Sequence, residues 1–194
     1  PANSNTTIVT TKVGTLPPFA VSGLGTKEAP YIWMGAGANK ERLKGIDIKG
    51  KEQNWTLEKW VGVYAEYGSL YIQQGCDIVA NTPSSNYLFQ IDDNGELHYD
   101  LAGHTLTVTA KKSVFFVYGY GIGQTASLEL NDTVGTGKIL FSSTSTSGIC
   151  TSVVQAYTRS KNGVVAKIVI NGGTYEMVST TFTGASPVVV GYGE

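Results

Sequence analysis

The feature that most constrains this chain is a frame that keeps returning. Val114-Phe115-Phe116-Val117-Tyr118-Gly119-Tyr120-Gly121 has an upstream counterpart in Val61-Gly62-Val63-Tyr64-Ala65-Glu66-Tyr67-Gly68, and a downstream one in Val188-Val189-Val190-Gly191-Tyr192-Gly193. An echo of this kind points to stacked repeats, in which each unit buries its apolar side against the next.

The repeat registers on glycines at 68, 95, 121, 163 and 193. Four segments then align: Ser69-Leu70-Tyr71-Ile72-Gln73, Glu96-Leu97-His98-Tyr99-Asp100, after a short insertion Ser127-Leu128-Glu129-Leu130-Asn131, and Lys167-Ile168-Val169-Ile170-Asn171. Each alternates with period two, as a strand does. The alternation predicts two inward columns, Leu70, Leu97, Leu128 and Ile168 beside Ile72, Tyr99, Leu130 and Ile170. Glycine spacings of 27, 26, 42 and 30 suit a solenoid of about three short strands per coil, with insertions at one corner. Stacked coils lie about 4.8 Å apart, so like residues form ladders. Gln73, Asp100, Asn131 and Asn171 are then expected to form a polar hydrogen-bonding column at a corner.

Composition agrees with this class. Charged residues are 15% of the 194, glycine numbers 24, and Thr, Ser, Val and Tyr are plentiful, which favours pleated strands and turns over helices. A net charge of −1 offers no footprint for nucleic acid. No apolar run approaches the roughly 18 residues of a membrane helix, so membrane insertion is not expected. The N-terminus Pro1-Ala2-Asn3-Ser4-Asn5 has neither an initiator Met nor a signal-peptide core, as in a processed or trimmed chain. Cys76 and Cys150 are too few and too distant for a metal or redox motif; a disulfide and two buried thiols both remain open. Three sequons, at Asn5, Asn54 and Asn131, match what chance supplies in so Thr-rich a chain.

Residues 1–50 do not share the repeat and are expected to be an irregular arm, cap or attachment segment. Leu16-Pro17-Pro18-Phe19 breaks any ladder, because proline has no amide donor. Lys40, Arg42 and Lys44 alternate with Glu41 and Asp47 as on a solvated face. Trp55 and Trp60 would stack on sugar rings if exposed; the preferred expectation is that they are buried and close the end of the core. Residues 51–194 are assigned to the repeat domain.

Two stretches resemble a known family. The run from Leu97 to Val108, containing Leu101-Ala102-Gly103-His104-Thr105-Leu106-Thr107-Val108, and the run Ile168-Val169-Ile170-Asn171-Gly172-Gly173-Thr174-Tyr175 look like coils of pectate-lyase-like right-handed parallel β-helix proteins. The resemblance extends over roughly residues 60 to 194. It implies an all-β chain wound as a right-handed parallel β-helix. The family includes polysaccharide lyases and hydrolases, phage tailspikes and fibres, and bacterial surface adhesins, so membership alone does not select a function.

The best catalytic constellation is the outward column Tyr71, His98 and Glu129 with Glu96 and Asp100. Stacking should bring His98 within hydrogen-bonding reach of Glu129. Glycosidases hold two carboxylates about 5 to 9.5 Å apart. Glu96 and Asp100 are four residues apart on one strand, roughly 13 Å, which is too far. Glu96 with Glu129, or Asp92 with Glu96, remains geometrically possible. Against catalysis, Asp92 and Asp93 flank the turn signal Asn94-Gly95, and no Arg or Lys sits over an acidic cluster as a lyase requires. Gly119-Tyr120-Gly121-Ile122-Gly123 lacks the following helix of a phosphate loop. If the chain is an enzyme, Glu96, Glu129 and His98 are its candidates.

Tyrosines offer the alternative. Tyr64, Tyr67, Tyr118, Tyr120, Tyr157 and Tyr192 lie on or beside equivalent strands, and those facing outward make an amphipathic surface suited to sugars or proteins. Tyr67, Tyr118, Tyr120 and Tyr192 are the candidate ligand-binding residues. No metal or other cofactor is expected. The chain ends at Gly191-Tyr192-Gly193-Glu194, where the frame would start another core strand; this is expected to be a cut or a subunit interface. The resemblance then implies a non-enzymatic virion-surface or cell-surface fibre or adhesin, trimeric, facing a glycan or host receptor. A polysaccharide-degrading tailspike fragment and a purely structural spacer are the alternatives.

Overall fold

The computed structural model describes residues 27–28, 30–33, 46–49, 63–66, 68–82, 87–145, 152–159, 163–179 and 189–193. Those residues are all-β, with no helix among them. The strands are β1 (Tyr31–Trp33), β2 (Ile46–Lys49), β3 (Val63–Glu66), β4 (Ser69–Gln74), β5 (Ile78–Thr82), β6 (Phe89–Ile91), β7 (Glu96–Asp100) and β8 (Thr105–Ala110), followed by β9 (Phe115–Gly119), β10 (Thr125–Asn131), β11 (Lys138–Ser143), β12 (Val154–Thr158), β13 (Val165–Ile170), β14 (Thr174–Ser179) and β15 (Val189–Gly193).

They form three parallel sheets. Sheet I runs β1-β4-β7-β10-β13, sheet II runs β14-β11-β8-β5, and sheet III runs β15-β12-β9-β6-β3-β2. From β3 onward each strand pairs with the strand three places later, so the chain visits sheets III, I and II in turn through four triplets. The recurring frame accounts for sheet III: Phe115 pairs with Phe89 and Val154, and Tyr118 pairs with Tyr157, which pairs in turn with Tyr192. Strands β1 and β2, from the segment expected to be an irregular arm, continue sheets I and III against β4 and β3.

Both expected core columns are present in register. Leu70, Leu97, Leu128 and Ile168 form one, and Ile72, Tyr99, Leu130 and Ile170 the other. The first three members of each are buried, while Ile170, on the edge strand β13, is 37% exposed. Sheets II and III add columns of their own. Ile78, Leu106 and Ile139 align on sheet II, and Phe89, Phe115 and Val154 on sheet III. Phe89 stacks on Phe115 with centroids 4.6 Å apart, and Tyr99 meets both edge-on. Offset and edge-to-face contacts of this sort add to the hydrophobic gain of burial.

The glycine register holds at Gly68 and Gly95 only; Gly193, within β15, is level with Thr158 and Gly119 instead. The residues aligned before Ser69 and Glu96 are Gly68 and Gly95, but Ala126 and Ala166 take that place before Ser127 and Lys167. Gly121 and Gly163 lie further upstream, in the longer corners between β9 and β10 and between β12 and β13. Gly95 has a steric reason to be glycine, since a Cβ there would fall on the Ala65 carbonyl.

Candidate functional site

The outward face of sheet I carries the polar residues that alternate with its core. Pairing puts Ser69, Glu96, Ser127 and Lys167 in one row, Tyr71, His98, Glu129 and Val169 in the next, and Gln73, Asp100 and Asn131 in a third. Side chains in a parallel register stack over one another, so each row becomes a contact chain.

In the middle row the Tyr71 and His98 rings stack at 4.1 Å and 4°. His98 Nδ1 lies 2.9 Å from Glu129 Oε2, the expected contact. Glu96 stands on the other side, its Oε2 3.7 Å from His98 Nε2 and accepting the Ser69 hydroxyl at 2.6 Å. Asn171 Nδ2 donates to Glu129 Oε1 at 2.9 Å and to Asn131 Oδ1 at 2.8 Å. Burial first, and then the carboxylates of Glu96, Glu129 and Glu28, push the Tyr71 hydroxyl above the usual phenol range. The other ring nitrogen, His98 Nε2, is shut from solvent and without a hydrogen-bond partner.

The polar column forms as two hydrogen-bonded pairs, Gln73 with Asp100 and Asn131 with Asn171, without a bond between Asp100 and Asn131. Gln73 Nε2 donates to Asp100 Oδ2 at 3.3 Å, and Asp100 Oδ1 accepts the Ala102 and Thr133 N–H groups at 2.9 and 3.0 Å. Next to it, Asp132 accepts the N–H groups of Gly103 and Gly137 at 2.8 and 2.6 Å. Burial alone would raise the Asp132 carboxyl, but backbone N–H groups from Gly137, Gly103, Gly135 and Val134 outweigh it and lower it. A cleft of about 300 Å³ opens over these rows, lined among others by Tyr71, His98, Asp100, Glu129 and Lys27.

Two of the candidate tyrosines, Tyr118 and Tyr120, lie elsewhere, on and beside the outward face of sheet III. Phe115 and Val117 belong to the core, so alternation along β9 sends Phe116 and Tyr118 outward. Tyr118 contacts Tyr120 at 5.2 Å, Tyr157 at 5.3 Å and Phe116 at 5.4 Å. Phe116 stacks on Tyr87 at 4.1 Å, and Lys112 Nζ sits 5.5 Å from the Tyr87 ring. Tyr118, Tyr120, Tyr157 and Tyr87 all keep part of their surface in solvent. Tyr192 continues the Tyr118–Tyr157 register along the backbone. Tyr67 lies outside the described residues, as does Cys150 with the question of its pairing to Cys76. Sequence reasoning missed Tyr87 and Phe116. The signal for Phe116 was its position two residues before Tyr118, on the same side of the strand.

Among the described residues no group of three or more His, Cys, Asp or Glu is placed to hold a metal ion, and no helix is long and apolar enough to cross a membrane. Comparison with family models, curated proteins and solved structures finds no match to this chain.

Proposed function

We propose that the chain winds as a right-handed parallel β-helix of the pectate-lyase-like kind and serves as a non-enzymatic fibre or adhesin domain on a virion or cell surface, binding a glycan or host receptor. Four triplets visiting three parallel sheets in unchanging order support the winding. The observation that carries the binding role is the aromatic cluster on and beside the outward face of sheet III, in which Tyr87, Tyr118, Tyr120 and Tyr157 keep part of their surface in solvent around the buried Phe116 ring. Partly exposed tyrosines present apolar faces for the C–H surface of a sugar and hydroxyls for its polar rim. A glycan array tests this, with Tyr118→Ala and Tyr157→Ala expected to lose the ligand while melting like the wild type. Silence of the wild type across the array would leave the spacer reading.

The tailspike reading rests on Glu96 and Glu129. These carboxylates flank His98, and its ring occupies the space between them, at 2.9 Å from one and 3.7 Å from the other. A glycosidase keeps that space for the sugar and its water. Digestion of polysaccharides by the wild type, lost in Glu96→Gln or Glu129→Gln, would overturn the non-enzymatic assignment.

The fibre assignment also carries an expectation of homotrimers, as fibres and spikes of the resembled family form. Light scattering reads this directly: three chain masses support the fibre, and a single chain mass removes the argument.

A further inference from the structure

The described charges divide by face. Acids that reach solvent lie on sheets I and II: Glu96, Asp100 and Glu129 on the first, Glu176 on the second, Asp77 and Asp132 in the corners joining them, and Glu28 ahead of β1. Around the aromatic cluster of sheet III the described acids are buried instead. Asp92 is 5% exposed and takes the Gln90 amide on both oxygens at 3.1 Å, and Asp93 is 1% exposed and holds the Tyr120 N–H. Asp47 and Glu66 stand on β2 and β3, of which the nearer, β3, is two strands from β9. Among the described side chains, the charges that edge the cluster in solvent are therefore cations. Lys112 Nζ lies 5.5 Å from the Tyr87 ring centroid on one side, next in the chain to the exposed Lys111. On the other side the exposed Arg159 donates its N–H to the Gly119 carbonyl at 3.0 Å, continuing the ladder of β9 and β12 one residue past Thr158. Two residues beyond Tyr157, it falls on the same face by alternation. None of these three cations is ion-paired to a described carboxylate.

Charge at the edge of a binding surface selects the partner of opposite sign and steers its approach. We infer that the glycan taken by this face is acidic, with carboxylate or sulfate groups meeting Lys112 and Arg159 while its rings lie on the tyrosines. The inference rests on the binding role proposed above and adds the class of ligand. Arg159 offers a planar fork that matches a carboxylate or a sulfate, and Lys112, close to the Tyr87 ring, supplies a point charge. The two stand apart. Tyr87 stacks on Phe116, and Arg159 is level with Tyr120, four residues of strand rise further on, or about 13 Å. One acidic group does not reach both cations, so they meet groups on separate sugars of a single chain. Single-stranded nucleic acid also combines negative charge with stacking. A net charge of −1 and the acids on the neighbouring face disfavour a polyanion of that charge density.

An array of matched glycans, each backbone printed with and without its carboxylated or sulfated sugar, tests this on the whole chain. Wild type should retain the acidic members and release them as NaCl is raised, because exposed charges are screened. Lys112→Gln and Arg159→Gln should melt like wild type and weaken binding of the acidic members about two- to fivefold each. Lys167→Gln, on the exposed row of sheet I, should leave binding unchanged. A preference for carboxylated over sulfated members, or the reverse, supports the inference and names the group. Equal binding of neutral and acidic members, lost in Tyr118→Ala, overturns the acidic class while the aromatic face stands as a glycan site. A wild type that binds no glycan overturns both. A single-stranded oligonucleotide bound more tightly than any glycan assigns the cations to nucleic acid and overturns the inference as well.

Discussion

His98 Nδ1 and Glu129 Oε2 lie 2.9 Å apart although 31 residues separate them in the chain. The parallel pairing of β7 with β10 makes them direct register partners, so the contact is a product of sheet geometry rather than of a dedicated site. The His98 side chain is 23% exposed and that of Glu129 35%, where solvent screens a pair. A double-mutant cycle with His98→Ala and Glu129→Gln should return a coupling of about 0.2–1 kcal/mol. A coupling several times larger would mark the pair as desolvated and held for another purpose.

The buried counterpart of that pair should cost more to break. Tyr99 donates its hydroxyl to Gln74 Oε1 at 2.9 Å, and Gln74 Nε2 is spent on the carbonyls of Cys76 and Thr105, both at 2.9 Å. Tyr99→Phe removes the donor and strands a buried acceptor. The expected loss is about 1–3 kcal/mol, read from denaturant unfolding against wild type.

Corner packing separates two glycines that look alike in sequence. Ala at position 95 would drive its Cβ into the Ala65 backbone, whereas Gly123, at φ +73°, has open space around it. Gly95→Ala forces two triplets apart and should cost about 1–3 kcal/mol or more. Gly123→Ala bears only the left-handed backbone penalty of about 1–2 kcal/mol. A Gly95→Ala variant that melts like the wild type would refute the close approach at Gly95.

Acid should expose the role of Asp132. Its folded carboxyl titrates below its ordinary value of 3.8, so its stabilising effect is fully present above that value and disappears as pH falls through the folded one. The urea midpoint of wild type should therefore fall as pH drops below about 4. Asp132→Asn should start less stable at neutral pH and lose less over the same interval. Identical pH slopes would show that the N–H groups of Gly103 and Gly137 do not favour the carboxylate.

Much of this architecture was legible because parallel stacking converts sequence alignment into spatial contact. Once Leu70, Leu97 and Leu128 were aligned, the positions of Tyr71, His98 and Glu129 followed from alternation alone. Sheet II was harder to see, since Ile78, Ala80, Leu106 and Val108 lie on strands whose corners differ in length and disrupt a fixed period. The facing of Tyr118 required knowing that Phe115 and Val117 point inward, and an apolar run such as Val114 to Val117 carries no alternation from which to read it. The burial of Asp93 was illegible: it comes from one corner stacking on the next, whereas the sequence signal at Asn94-Gly95 indicates a solvated turn.

The central claim is that an aromatic face of stacked parallel strands recognises a glycan without cleaving it. Glycan-array binding by wild type beside Tyr118→Ala, with the bound oligosaccharide recovered and its length determined, tests this most directly. The account predicts an intact ligand retained by wild type and lost by the variant. Shortened oligosaccharide, released by wild type and by Tyr118→Ala but not by Glu129→Gln, would contradict it.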